Sequence, residues 1–272
     1  MRKKTRKKTV TIVNKTPDYL YRYRDVSKEH SFHELEHSEL YFSSPKDFND
    51  PFDCHNLFSF DGATDRDWRN LLDIIFKVNE PELSEILRSM KIDAIIKSGH
   101  TNNQTTLNGL REEWDSALNS HNNEYGIVCM SSRNNDILMW SHYSDGHKGY
   151  CLKFNSKILS QLYFGKEVSY RNSYPKLKEF IGDEQISNLL ISTKSAHWKY
   201  EKEYRYIISP VNEVRNMKFP TEALEGVIFG CNISEESKEK IKALLKSNGF
   251  EKASVHQAVK AVNTYSLKIE QL

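Results

Sequence analysis

The sequence predicts an α+β fold built on a largely antiparallel sheet with flanking helices. Three observations lead there. Short strand-like runs rich in aromatic and β-branched residues recur along the chain, as at 20–24, 125–130 and 203–209. Helical periodicity is concentrated in residues 64–121, where no strand-like run occurs. Outside that stretch helices and strands mix, with no internal repeat and no linker rich in Gly and Pro.

Residues 1–18 read as a flexible basic arm and 19–272 as one domain with a helical insertion at 64–121. A strand is expected at 20–24, a short helix from about 27 to 37, and a strand over 40–43 that Pro45 ends. Asn49-Asp50-Pro51 marks a turn. Thr64 with Asp67 three residues on has the form of a helix N-cap, and Trp68, Leu71, Leu72, Ile75 and Phe76 then repeat at helical spacing. Pro81 suits the first position of a second helix, continued by Leu83, Ile86, Leu87 and Met90. Leu107, Leu110, Trp114 and Leu118 mark a third, and the insertion is expected to cover one side of the sheet. Strands follow at 125–130, 137–143 and 149–154, a helix near 156–164, a short strand at 167–170, and a helix within 176–195. Strands return at 203–209 and 226–230. Ser234 caps a helix to about Ser247 with Gly249 as its terminator, and two strands close the chain near 253–257 and 265–269.

Composition narrows the function classes. The chain has 272 residues, 38% hydrophobic and 11% aromatic, which permits a substantial core and argues against disorder. The net charge of +2 hides an asymmetry. Arg2, Lys3, Lys4, Arg6, Lys7 and Lys8 supply six positive charges, and without them the balance is −4. The body therefore carries no global basic footprint for nucleic acid, and only the arm at 2–8 offers weak phosphate contact. No apolar run is long enough to span a membrane, and the basic start is not followed by a signal-like apolar stretch. Cys54, Cys129, Cys151 and Cys231 are far apart and form no C-x-x-C pair, which fits reduced thiols and a cytoplasmic location.

Four polar-aromatic clusters stand out: residues 20–24 (Leu-Tyr-Arg-Tyr-Arg), 48–53 (Phe-Asn-Asp-Pro-Phe-Asp), 139–143 (Met-Trp-Ser-His-Tyr), and the run from Trp198 to Arg205. Buried charge is costly unless paired, whereas a recognition site combines apolar walls with a few placed polar groups. In the last run a strand would put Glu201, Glu203 and Arg205 on one face and Tyr200, Tyr204 and Tyr206 on the other. That is either a carboxylate pair held beside an arginine or a solvated face with a local ion pair. Arg22 and Arg24 share a face of the first strand, suited to phosphate recognition or to pairing with Glu201 or Glu203. Asn49 and Asp50 either touch a ligand or cap a neighbouring segment, with capping slightly ahead. His142 and His147 flank a turn at Ser144-Asp145-Gly146 and are either proton shuttles or hydrogen-bonded core histidines. Residues 33–37 spell the H-E-x-x-H zinc pattern, but a charged Glu36 and the missing third ligand favour an exposed helix, and no metal is expected. No Walker loop, G-x-G-x-x-G or G-x-S-x-G element is present, which removes the usual nucleotide-fold and serine-hydrolase readings.

Taken in order over residues 20–208, these strings, with Leu40-Tyr41-Phe42-Ser43-Ser44-Pro45 and Lys148-Gly149-Tyr150-Cys151, resemble the bacterial family catalogued as domain of unknown function 2971. A second resemblance is to ADP-ribosyltransferases, through Arg22 on an early strand, the Ser43-Ser44 pair, and Glu201-Lys202-Glu203 as a late E-x-E. That resemblance implies cleavage of NAD at its nicotinamide glycosidic bond and transfer to an acceptor, protein or nucleic acid, in a toxin or phage-defence effector. It implies that Glu203 stabilises the ribosyl cation, Glu201 serves the acceptor, and His142 joins the catalytic set. Arg22, Tyr23, Ser43, Asn49, Asp50 and Tyr143 would bind the cofactor, with Arg22, Asp50, His142 and Glu203 lining one cavity. A metal-dependent hydrolase and a non-catalytic nucleotide- or partner-binding sensor stay open as alternatives.

Overall fold

The computed structural model describes residues 16–272 except 29, 55–58, 100, 102, 104, 110, 111, 113–123, 180–188, 190, 212 and 213. The first run of alternating aromatics forms β1 (Tyr19–Arg24), the short His-Glu string α1 (His33–His37), and the next apolar run β2 (Glu39–Tyr41). The helix expected from about 27 is thus only five residues long. Asp25 ties down the residues before it, because its carboxylate accepts from the backbone N–H of Ser27 and Lys28 in a turn that competes with helix.

The insertion opens as its cap dictates. In α2 (Asp65–Asn79) Thr64 and Asp67 exchange side-chain-to-backbone hydrogen bonds in a capping box. The next helix, α3 (Glu85–Lys97), starts four residues later than Pro81 because Ser84, whose hydroxyl accepts from the Leu87 N–H, is the cap. Its apolar residues Ile86, Leu87 and Met90 are exposed rather than buried. Residues 105–109 are helical, while Leu110, Trp114 and Leu118 of the third expected helix lie outside the described residues. Phe60, Trp68, Leu71 and Leu177 form this region's own small core.

The body follows as β3 (Gly126–Ser131), α4 (Ile137–Tyr143), β4 (Tyr150–Asn155), α5 (Ser156–Leu162), β5 (Phe164–Glu167) and β6 (Ser169–Arg171). Then come β7 (Thr193–Ser195), β8 (Glu203–Ile208), β9 (Asn216–Lys218), β10 (Leu224–Phe229), α6 (Glu235–Ser247), β11 (Ser254–Lys260) and β12 (Leu267–Gln271). One expectation changes here. Residues 137–143 are a helix, not a strand: Asp136 caps it by accepting from the Leu138 and Met139 N–H groups, and Met139 and Trp140 face inward while Ile137 and Leu138 face out. Four apolar residues followed by Ser141 and His142 show no resolvable period, so the cap decides it. Within 176–195 the described residues show a 3-10 turn at Leu177–Glu179, helix at Leu189 and Ile191, and the strand β7, and the remainder of the expected helix lies outside them.

Eight strands make the main sheet, in the order β12-β11-β10-β4-β1-β3-β8-β5. Every pairing is antiparallel except β10 with β11, which α6 connects as a crossover. The sheet is thus largely antiparallel and the fold α+β. Gly249, at φ +80°, ends α6, and the Phe250 N–H returns to the Leu245 carbonyl. One face of the sheet packs Leu20, Leu152, Phe154, Tyr204 and Tyr206 against Leu35 of α1, Leu159 of α5, and Ile241 and Leu245 of α6. The other face carries Tyr23, Cys151 and Ile228 beneath Met139 and Trp140 of α4, with Ile127 and Ile207 beside Cys54 and Ile191.

The strands β1 and β3 meet at one pair, Tyr21 opposite Ser131. Beyond it the edge of β3 is taken by Ser43, which bridges to Ile127. The last three residues assigned to the basic arm are not free of the body: Ser156 donates its hydroxyl to the Pro17 carbonyl and Thr16 Oγ1 lies 3.3 Å from the Tyr204 hydroxyl. Residues 1–15, including the basic run at 2–8, are outside the described residues. Among the described residues no helix is long and apolar enough to cross a membrane.

Candidate functional site

The carboxylates of the late E-x-E are buried, contrary to the solvated-face alternative. They are also not on one strand. Residues 196–201 form a 3-10 helix capped by Ser195, Lys202 takes the left-handed conformation at φ +45°, and β8 begins only at Glu203. This kink lets Glu201 and Glu203 approach the same cation from different backbone directions.

That cation is Lys194. Its ammonium lies 2.7 Å from Glu201 Oε2, 3.0 Å from Glu203 Oε2 and 3.3 Å from Asp53 Oδ2. Arg205, wholly buried at 0% exposure, is the second. Its Nε donates to Glu203 Oε1 at 2.7 Å and its Nη2 to Asp53 Oδ2 at 2.6 Å, while Nη1 donates to the Ile191 carbonyl and to Cys54 Sγ. The ring of Phe48 lies 5.5 Å from the guanidinium and that of Trp198 5.1 Å from the ammonium. Tyr143 donates its hydroxyl to Glu201 Oε1 at 2.6 Å, and Tyr170 accepts the Glu203 N–H at 2.8 Å. Ser131 donates to the Glu201 carbonyl, fixing the end of the 3-10 helix to β3.

Three carboxylates face two cations, so the cluster holds one carboxylate too many for neutrality. The glutamates divide accordingly. Burial pushes the Glu203 carboxyl up, but Arg205 and then Lys194 outweigh it, and the group sits well below the ordinary glutamate range. At Glu201 burial prevails over Lys194, with the Glu203 charge adding to it, and the carboxyl is raised. Burial also raises the Tyr143 phenol, and Glu201 reinforces it, so Tyr143 is a hydrogen-bond donor at neutral pH. Burial keeps the Cys54 and Cys129 thiols protonated.

The sequence-derived residues divide between the two faces of the sheet. Tyr21, Ser131 and Glu203 fall on one register line, so Arg22, the neighbour of Tyr21, points to the opposite face. There its Nε contacts Glu34 Oε1 at 2.8 Å and Arg24 lies 3.2 Å from Oε2 of the same residue. Arg22 is therefore not beside Glu203, and neither arginine pairs with Glu201 or Glu203. The expected cavity of Arg22, Asp50, His142 and Glu203 does not form as a set. Alternation along β1 assigns Arg22 to the α1 side, where Glu34 is the buried countercharge.

Tyr23 is core, edge-on to Trp140 at 5.1 Å, with its hydroxyl donating to the Arg133 carbonyl. Ser43 acts through its backbone bridge to Ile127. Asp50 caps, accepting the Phe52 N–H at 2.9 Å, and its buried Oδ2 has no hydrogen-bond partner among the described residues. The exposed Asn49 faces the Tyr143 phenol. His142 is exposed, its ring 6.5 Å from Tyr143 and 6.3 Å from Tyr200. The structure thus brings together Asn49, His142, Tyr143, Glu201 and Glu203. It keeps the expected Arg205 beside Glu203 and adds Asp53, Lys194 and Tyr170 in contact with them. Asp53 lay inside a string already singled out, whereas Lys194 sits in an ordinary polar run and gives no signal of its own.

The H-E-x-x-H string does not assemble a zinc site. The rings of His33 and His37 are 4.7 Å apart, but Glu34 turns inward to Arg22 and Arg24, and His33 Nε2 engages Glu39 at 3.2 Å. Among the described residues no group of three potential ligands is arranged to hold a metal.

Residues 139–206 match the family model described as Protein of unknown function (DUF2971). The resemblance to DUF2971 holds over this segment. The matched stretch runs from within α4 to within β8, so it contains Tyr143, Lys194, Glu201, Glu203 and Arg205, while Phe48, Asn49 and Asp53 come from outside it. The cluster is thus drawn mostly from the matched segment and completed by the 48–53 turn. No curated protein and no solved structure matches the chain.

Proposed function

We propose that this chain is an enzyme of the ADP-ribosyltransferase type, cleaving the nicotinamide glycosidic bond of NAD, and that Glu201 rather than Glu203 is the carboxylate presented to the substrate. The observation that carries the reading is the environment of Glu201. One oxygen accepts from Tyr143, the other from Lys194, and burial lifts its proton affinity. A carboxylate with raised proton affinity beside an aromatic rim is a candidate for acid–base chemistry. Glu203 is saturated by Arg205 and Lys194 and serves to hold the cluster.

In the proposed reaction the ribose C1′–nitrogen bond breaks, its electron pair leaves with neutral nicotinamide, and positive charge develops on the ribose. Excess negative charge in the cluster stabilises that cation electrostatically. The acceptor's nucleophile then bonds to C1′ and its proton passes to Glu201. Tyr143, Tyr200 and Trp198 supply aromatic faces next to that carboxylate.

A second reading is a non-catalytic nucleotide- or partner-binding protein. It is favoured by the closure of the network, since the Lys194 and Arg205 donors are spent on Asp53, Glu201, Glu203, Cys54 and the Ile191 carbonyl. Nicotinamide release from labelled NAD separates the two. Turnover by the wild type that falls about two to three orders of magnitude in Glu201→Gln, with melting temperature retained, supports the enzyme. Calorimetric NAD binding without release supports the second reading, and neither binding nor release rejects both.

A further inference from the structure

A cavity of about 670 Å³ opens between α4 and the β11–β12 hairpin, apart from the carboxylate cluster. Its size falls within the range of small-molecule sites, about 300–1,000 Å³. Ile137 and Leu138 of α4 form one apolar wall, and Val262, Tyr265 and Leu267 of the hairpin form the other. Val262 and Tyr265 are 92% and 101% exposed, a large apolar surface for a hairpin tip.

Polar groups converge on this wall. Ser141 Oγ lies 3.2 Å from His147 Nε2, and both line the cavity. Burial, followed by the charge of Lys260, lowers the proton affinity of His147, so the imidazole is neutral near pH 7. Lys260 is then the one charged side chain of the lining, and among the described residues it has no carboxylate partner. The adjoining cavity of about 440 Å³ shares Lys260 and Cys231 and adds Lys238.

The floor is held in place. His147 adopts φ +69°, its carbonyl accepts the Asn232 N–H at 3.0 Å, and its ring stacks on Trp140 at 6.4 Å. A non-glycine residue fixed in that conformation beside a cavity is a feature that surrounding contacts must maintain.

We propose that this cavity binds an amphipathic organic monoanion: an aromatic or branched apolar body between α4 and the hairpin, with one carboxylate, sulfonate or phosphodiester group on Lys260 and hydrogen bonds from Ser141 and Asn232. The apolar walls select the body and the single unpaired ammonium selects the charge.

The probe for the test is 8-anilinonaphthalene-1-sulfonate, followed by fluorescence titration of the full chain. Saturable binding is expected. Lys260→Gln weakens it about tenfold, the loss of one charge-assisted hydrogen bond. Val262→Ser with Tyr265→Ser weakens it as well, and the uncharged N-phenyl-1-naphthylamine is insensitive to Lys260→Gln. These three side chains are exposed, so melting temperatures should not move. An unchanged Kd in Lys260→Gln overturns the proposal, as does the absence of saturable binding. Loss of the signal in Ile86→Ser with Met90→Ser also overturns it, because the dye would then be reporting the exposed face of α3.

Discussion

The hydroxyl of Tyr143 donates to Glu201 Oε1 across 2.6 Å, joining residues 58 positions apart in sequence. The bond links the C-terminal end of α4 to the 3-10 helix that precedes β8, and it sets the environment of the carboxylate on which the proposed chemistry depends.

Tyr143→Phe should move Glu201 further in the direction burial already takes it. The phenol's hydrogen bond favours the ionised form, so its loss raises the carboxyl again. If Glu201 takes a proton during NAD cleavage, the acidic limb of the pH–rate profile moves to higher pH. A profile identical to wild type would disconnect Tyr143 from the reaction.

Removing one side of the buried network should be far more costly than removing an exposed pair. Arg205→Met leaves Asp53 and Glu203 without their main countercharge, and a loss of about 3–5 kcal/mol is expected. Lys218→Ala, which breaks an exposed pair with Glu39, should cost under about 1 kcal/mol. Denaturant unfolding of both variants measures the difference, and equal losses would mean that the cluster is solvated.

The two glutamates should impose opposite pH dependences on stability. Glu203 has a folded value below its ordinary 4.5, so it contributes stability above that pH, and the contribution is lost as pH falls through the folded value. Glu201 has a folded value above 4.5, so its pH-dependent contribution is unfavourable once pH rises through that value and vanishes in acid. The stability gap between wild type and Glu203→Gln should therefore close on acidification. Wild type relative to Glu201→Gln should weaken as pH rises. Unfolding titrations between about pH 3 and pH 8 would show both trends, and parallel curves would contradict the division of roles.

Gly149→Ala should destabilise the turn between α4 and β4. An added Cβ would overlap the Arg24 carbonyl oxygen and come within 2.9 Å of Ser144 Cβ. Neither neighbour is a flexible side-chain end, so about 1–3 kcal/mol is expected by thermal or urea unfolding. Wild-type stability in this variant would mean that β1 and the turn can separate without cost.

Much of the fold was legible because its signals are local. The Thr64–Asp67 capping box, the Ser234 cap and Gly249 terminator of α6, and the alternating aromatics of β1 and β8 each depend on residues within one or two turns or strand steps. Where two conformations suit the same short run, as at 137–143, residue pattern alone does not separate them and the Asp136 cap decides for the helix. The helix allows Met139 and Trp140 to cover Tyr23 while Ile137 and Leu138 stay outside.

The candidate site was legible in its parts and not in its grouping. The strings around Asn49, Tyr143 and Glu203 were recognisable as mixtures of aromatics and ionisable groups. Lys194 and Asp53 were not distinguished, because a lysine or aspartate becomes chemically unusual only when desolvated beside particular partners.

By itself, the sequence determined most of the strands and helices, though not the helix at 137–143, that the sheet is mainly antiparallel, and which segments carry chemistry-bearing side chains. Capping, alternation and helical periodicity are short-range properties written into neighbouring residues. Tertiary structure alone decided that Arg22 is bound to Glu34 on one face of the sheet while Arg205 neutralises Asp53 and Glu203 on the other. It also decided that Glu201 and Glu203, two residues apart, take opposite shifts. Register and burial set which charges meet in a low-dielectric interior, and those long-range pairings determine which carboxylate is raised and which is lowered.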